Sequence, residues 1–299
     1  MIPLVFHPIY SQLVLPQKHR FPIEKYQGIH DQLVALGRSE ADFICPNQIA
    51  IEALKTVHQS GYVDNFINGK LSNKEIRRIG MPWSEQFVKR TLTAVGGTVL
   101  TGQLAIEHGL ALNLTGGYHH AFSEFGSGFC AFNDIVLSAK EMLTHNGIDR
   151  VLAFDCDVHQ GDGTAQLCAN NDSIYTVSLH CEKNFPARKQ DSNIDFPLAK
   201  GMSDDEYLHT VECALTLAFN CAVPDAVIYD AGVDIHECDD LGNLQISTEG
   251  VFQRDKLVFD MCKSKGVPVA AVIGGGYQRN IADLVNVHLQ LFKAAGVYS

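Results

Sequence analysis

Six short apolar runs punctuate the chain, and their alternation with longer amphipathic stretches constrains the fold more than any other feature. The runs cover residues 4–6, 111–114, 151–154, 174–179, 226–229 and 267–273. They are rich in Val, Ile and Leu with little polar alternation, as expected of strands covered on both faces. Helical patterns lie between them. Asn47 is placed to cap a helix through His58, and residues 84–108 and 133–145 read as two more. Residues 203–220 open on Ser203 with Glu206 three positions on, a capping-box signature. Residues 248–265 end at Gly266, just before Pro268. Strands alternating with helices imply an α/β fold, a three-layer αβα arrangement around a central, mainly parallel sheet. With no repeat, low-complexity tract or linker, residues 1–299 read as a single domain.

Composition narrows the function. Of 299 residues 46% are hydrophobic, ample for one large core, and the net charge of −11 lacks the basic excess that nucleic-acid binding needs. Nine cysteines, an odd number without a C-x-x-C pair, argue against a disulfide framework and for a reduced, cytoplasmic setting. Cys130, Cys156, Cys213 and Cys262 lie among apolar neighbours and are expected to pack as small hydrophobes. The opening MIPLVFHPIY does not read as a signal peptide, and no apolar stretch approaches the ~18 residues of a membrane span, so no membrane partner is expected.

In folds of this class ligands sit beyond the carboxyl ends of the strands. There the run V-L-A-F changes abruptly into D-C-D-V-H-Q-G-D-G, residues 155–163. In extended chain Asp155, Asp157 and His159 project to one side, and three buried ionisable groups call for a countercharge. A divalent cation supplies it, and carboxylate with imidazole suits zinc, iron or cobalt. An EF-hand loop is excluded: Gln160 stands at its glycine position and Gln166 at its final carboxylate. The strand A-V-I-Y leads into Asp230-Ala-Gly-Val-Asp234; either aspartate could reach the same cation, with Gly232 easing the path between them. A-L-N-L runs into T-G-G-Y-H-H-A, whose His119 and His120 read either as acid–base groups beside a metal or as a solvated loop pair. Phe129 and Phe132, among glycines, suit the wall of an apolar channel or the core. The last strand opens into Gly274-Gly275-Gly276-Tyr277, where the nucleotide-binding glycine pattern fails because Arg279 occupies its last position.

Taken together and in this order, these segments resemble the histone deacetylase family within the arginase–deacetylase fold, across essentially the whole chain. T-G-G-Y-H-H-A, G-F-C-A-F-N-D, D-C-D-V-H-Q-G-D-G, T-V-S-L-H, D-A-G-V-D and G-G-G-Y carry the resemblance. H-R-F-P-I-E-K-Y from residue 19, D-D-E-Y-L at 204–208 and G-V-F-Q-R-D-K-L-V-F at 250–259 look most like the class IV branch, as does the spacing of Asp239-Asp240-Leu241-Gly242 after D-A-G-V-D. The resemblance implies a zinc-dependent amidohydrolase acting on acyl-lysine, with zinc on Asp157, His159 and Asp234. It makes His119 and His120 the catalytic pair, oriented by Asp155 and Asp162, and Tyr277 the donor to the substrate carbonyl. Gly128, Phe129 and Phe185 would line the substrate tunnel. A structural potassium ion would lie on Asp155, the main chain of Asp157 and His159, Ser178 and Leu179. The sequence departs at Gln160, where many relatives carry a second histidine, and in having three glycines before Tyr277 rather than four. An acylpolyamine amidohydrolase shares fold and chemistry. An arginase-like hydrolase would need a second metal, and a silent acyl-lysine binder would be expected to have lost one of these groups.

Overall fold

The computed structural model describes residues 2–298. Among these residues eight strands form one sheet: β1 (Leu4–Val5), β2 (Phe43–Ile44), β3 (Leu110–Asn113), β4 (Val151–Asp155), β5 (Ile174–Cys181), β6 (Ile194–Leu198), β7 (Ala226–Asp230) and β8 (Val269–Val272). Their spatial order is β2-β1-β3-β8-β7-β4-β5-β6, and every neighbouring pair is parallel. All residues of β4, β7 and β8 are buried, which explains their uninterrupted apolar character. Two strands are additional to the six expected. β2 has only two residues, and β6 (I-D-F-P-L) carries polar residues and Pro197, which an edge position tolerates.

Ten α-helices among the described residues flank the sheet: α1 (Lys25–Ala35), α2 (Ile51–Leu54), α3 (Ser60–Ile67), α4 (Asn73–Ile79), α5 (Glu85–His108), α6 (Asp134–Met142), α7 (Asp162–Cys168), α8 (Asp204–Ala222), α9 (Thr248–Lys265) and α10 (Ile281–Ala294). α5 packs on α6, while α1, α10, α9 and α8 contact one another in succession. Local chemistry sets several ends. Ser84 and Ser247 accept hydrogen bonds from Phe87 and Gly250, and α9 stops at Gly266 in left-handed conformation.

Three local expectations are corrected. Asn47 does not cap a helix to His58. Residues 47–49 lie against Gly96 of α5, where Ile49 N–H donates to the Leu92 carbonyl, and α2 begins only after Ala50. Ser203 precedes α8 without a side-chain cap, so its capping box does not form; Asp204 is engaged with Ser247 N–H and Oγ instead. Cys130, Cys156 and Cys262 are buried as expected, whereas Cys213 is exposed on α8 beside His209.

Register positions the chemistry. Asp155 pairs with Asp230, and Asp230 and Asn113 both pair with Val272. Strands β3, β8, β7 and β4 therefore end level. The segments that follow them, bearing the paired histidines, the glycine run and both acidic motifs, leave the sheet side by side. Among the described residues, no helix is long and apolar enough to cross a membrane.

Candidate active site

Just beyond β4, Asp157 and His159 meet Asp234 from the segment after β7, with ligand atoms within 4.8 Å of one another. His159 Nδ1 lies 3.0 Å from Asp157 Oδ1 and 3.0 Å from Asp234 Oδ2. Backbone groups aim the carboxylates: Gly275 N–H donates to Asp157 Oδ2, Val158 N–H to Asp234 Oδ1, and His159 N–H to Asp157 Oδ1. The approach leaves no room for side chains on the backbone opposite. A Cβ on Gly275 would collide with Asp234 Oδ2, and one on Gly232 with Asp157 Oδ2. Gly232 thus provides space; its φ is not in the left-handed region, so the sharp backbone path expected of it is not its role.

The electrostatics of this group call for a cation. Burial opposes the Asp157 charge, but His119 and His159 outweigh it and hold the carboxyl below its usual range. Burial and the Asp157 charge push Asp234 up to about 7. His159 rises to about 10 because hydrogen bonds to Asp157 and Asp234 overcome its desolvation. Two buried carboxylates thus compete for one imidazole proton. A divalent ion bound by two oxygens and a nitrogen fits this donor set.

The histidine pair lies alongside. His119 Nδ1 is 2.7 Å from Asp155 Oδ2, His120 Nδ1 is 2.7 Å from Asp162 Oδ1, and the two Nε2 atoms are 3.1 Å apart. The rings differ electrostatically. Desolvation opposes charge on His119, yet Asp155 and Asp157 raise its pKa well above the ordinary value. Desolvation, then the neighbouring His119, lower His120 to about 4. One ring therefore stores positive charge while the other stays uncharged.

Above these groups opens a pocket of about 260 Å³, lined by His120, Gly128, Phe129, His159, Asn184, Phe185, Leu241 and Tyr277. Phe185 stands edge-on to His120 with centroids 4.8 Å apart, and Tyr277 lies 5.9 Å from Phe129 and 6.2 Å from His159. Phe129 adopts a φ of 68°, uncommon for an aromatic residue, held by its N–H bond to the Ile79 carbonyl. A Cβ on Gly128 would lie 2.6 Å from His120 Cδ2. Below, an inner space of about 20 Å³ is bounded in part by Phe21, Lys25, Tyr26 and Tyr118.

The comparisons with known proteins agree with this geometry. A family model described as histone deacetylase domain matches residues 19–292. Histone deacetylase 2 of Arabidopsis thaliana is 32% identical over 303 residues, covering 96% of this chain and 77% of its own. The chain belongs to the histone deacetylase family. Histone deacetylase 8 of Xenopus laevis is 33% identical over 254 residues, covering 78% of this chain and 76% of its own. An uncharacterized protein of a Picosynechococcus species is 46% identical over 294 residues, 98% of each chain.

Within this member of the histone deacetylase family, Asp230 stands apart from the Asp157 group. It lies 3.8 Å from His119 Nδ1, and neither of its buried oxygens has a hydrogen-bond partner among the described residues. Ser178 lies beside Asp155 in register, with Leu179 next on β5, and Ser178 Oγ is 3.0 Å from His180 Nδ1. Gln160 does not enter the donor set; it ties its loop to Gln190 and Asp195. Three supporting residues escaped the sequence reading. Asp239 accepts from Tyr277 N–H at 2.6 Å. Arg254 donates to the Gly232, Ala231 and Cys156 carbonyls behind the acidic segments. Lys25 reaches the glycine run. Sequence signals for all three existed, because each lies within a class IV-like segment, but nothing in those segments says what they touch.

Proposed function

We propose that this chain is a zinc-dependent deacylase that hydrolyses the amide of an acylated lysine or a closely similar acylated amine. One observation carries the reading: His159 of the Asp157–His159–Asp234 group, His120 of the unequal histidine pair and Tyr277 line one pocket together with Phe129 and Phe185. Asp157, His159 and Asp234 would hold the divalent ion, and the same donors would accept iron or cobalt. When bound, such an ion supplies Lewis acidity toward the acyl carbonyl and lowers the pKa of a water toward about 7.

The remaining work falls to the side chains. Phe129 and Phe185 hold the alkyl stem of the substrate and exclude water around the amide. His120 Nε2, uncharged at neutral pH, accepts the proton of the attacking water while Asp162 orients the ring through Nδ1. His119, kept cationic by Asp155 and Asp157, places positive charge beside the reacting atoms. The Tyr277 hydroxyl donates to the developing oxyanion. The proton then passes from His120 to the leaving amine, and no covalent acyl-enzyme is required.

The inner space of about 20 Å³ supports a short acyl group, since it has room for little more than a water molecule. A long chain would require Phe21, Tyr26 or Tyr118 to move. The class IV assignment rests on residues 19–26, 204–208 and 250–259 and on the spacing of Asp239–Gly242 after D-A-G-V-D. Potassium on Asp155, Asp157, His159, Ser178 and Leu179 is part of the same reading. Nine free cysteines support a reducing, cytoplasmic setting. The test is an acyl-length series on a lysine peptide beside acetylpolyamines, with protein of measured metal content. Chelator-sensitive hydrolysis restored by zinc is expected; full activity without divalent metal would sink the proposal.

A further inference from the structure

Lys25 violates the local rules of its own helix. It is the first residue of α1, where the helix dipole disfavours a cation, and it is 1% exposed, where an ammonium loses its hydration. Among the described residues it forms no ion pair with a carboxylate. Nζ donates instead to the Gly274 carbonyl at 3.1 Å and, more distantly, to the Gly276 carbonyl at 3.5 Å. These two oxygens accept from no other donor among the described residues, whereas the intervening Gly275 carbonyl accepts from Val233 N–H. The ammonium also lies 5.8 Å from the centre of the Tyr277 ring. A buried cation held against local propensity marks a position where function outweighs stability.

Its contacts show what it acts on. Gly274 has a φ of 60° and Gly276 one of 150°, conformations that side chains rarely adopt, so the run has little stiffness of its own. Gly275 is held from one side by Asp157, and Tyr277 N–H is held by Asp239. Lys25 closes the remaining side. Without it, two buried carbonyls lose their donor and the backbone that aims Tyr277 is held by Asp157, Val233 and Asp239 alone.

We infer that Lys25 is a positioning residue for Tyr277: it clamps the Gly274–Gly276 carbonyls from α1 and so fixes where the phenol meets the substrate carbonyl. This rests on the proposed role of Tyr277 as the oxyanion donor. A double-mutant cycle in the full-length, zinc-loaded protein tests it, with kcat, KM and metal content read for Lys25→Met, Tyr277→Phe and the pair. Lys25→Met is expected to lower kcat about 10- to 100-fold, with metal content and KM nearly unchanged. In the Tyr277→Phe background the same change should cost less than about 2-fold, because the group it positions is gone. Independent, multiplying losses would overturn the inference, as would metal loss in Lys25→Met. If Tyr277→Phe alone left kcat intact, the underlying role of Tyr277 would fail and the inference with it. Should Lys25→Met not fold, Lys25→Gln, which keeps a donor, takes its place in the cycle. A loss in kcat that disappears in the Tyr277→Phe background then supports the inference, and a loss that multiplies overturns it.

Discussion

Two groups of one histidine and two aspartates lie side by side at the end of the sheet. Asp157, His159 and Asp234 form one; His119, Asp155 and Asp230 form the other. Residue types and burial are the same, so neither decides what each can do. Hydrogen bonding does. In the first group, backbone N–H groups of Val158, His159 and Gly275 aim both carboxylates while their oxygens converge with His159 Nδ1. In the second, Asp155 is committed to His119 and to Asp157 N–H, and Asp230 receives no donor among the described residues. The first is arranged to hold a cation and the second to hold charge on an imidazole.

The sharpest way to break this distinction is Asp157→Ala, expected to abolish binding of a divalent ion and to reduce turnover by more than about 10³-fold. Metal analysis beside a peptide assay measures both, and a fully metallated, active variant would erase the difference between the groups. Next comes Tyr277→Phe, which removes one oxyanion donor while leaving both groups intact. A loss of about 10²–10³ in kcat with unchanged metal content is expected.

His58 sharpens the comparison by supplying a buried histidine with no carboxylate partner among the described residues. Its Nε2 accepts from Asn133 N–H, so Nδ1–H donates to the Phe122 carbonyl, and burial lowers its pKa to about 4. The unfolded chain therefore takes up a proton that the folded chain refuses between about pH 6.5 and 4. Stability is expected to fall with pH across that window by about 3 kcal/mol, and His58→Gln should flatten that part of a denaturation-versus-pH curve. The smallest effect belongs to Asp230→Asn. Burial and then Asp155 already favour the uncharged carboxyl, so the near-isosteric amide should change stability by less than about 1 kcal/mol, with metal stoichiometry unchanged. Thermal unfolding beside metal analysis decides it, and a loss of metal would merge the two groups into one site.

Legibility differed from element to element. The central strands β3, β4, β7 and β8 were plain because burial on both faces demands continuous apolar runs. Edge strands β2 and β6 carried no such demand and were invisible. Helix α10 is readable in principle, from Asn280 capping Ala282 and a strongly amphipathic pattern, yet no proline follows its end as Pro268 follows that of α9. The stretch from Asn47 to His58 has helical composition, but packing against Gly96 outweighs a weak local preference.

The sequence by itself determined the six inner strands of the sheet, the edge at which chemistry collects, and the pairing of Asp157 with His159, because these follow from local periodicity and two-residue spacing. Family resemblance alone separated Asp234 from Asp230. Tertiary structure decided why they differ, since that depends on which backbone N–H groups meet each carboxylate across more than one strand. It also decided the opposite charge preferences of His119 and His120, adjacent in sequence yet facing different surroundings. Lys25 belongs wholly to this second kind: a lysine 252 positions before Tyr277 holds the backbone that aims it, and only the packing of α1 against the glycine run brings them together.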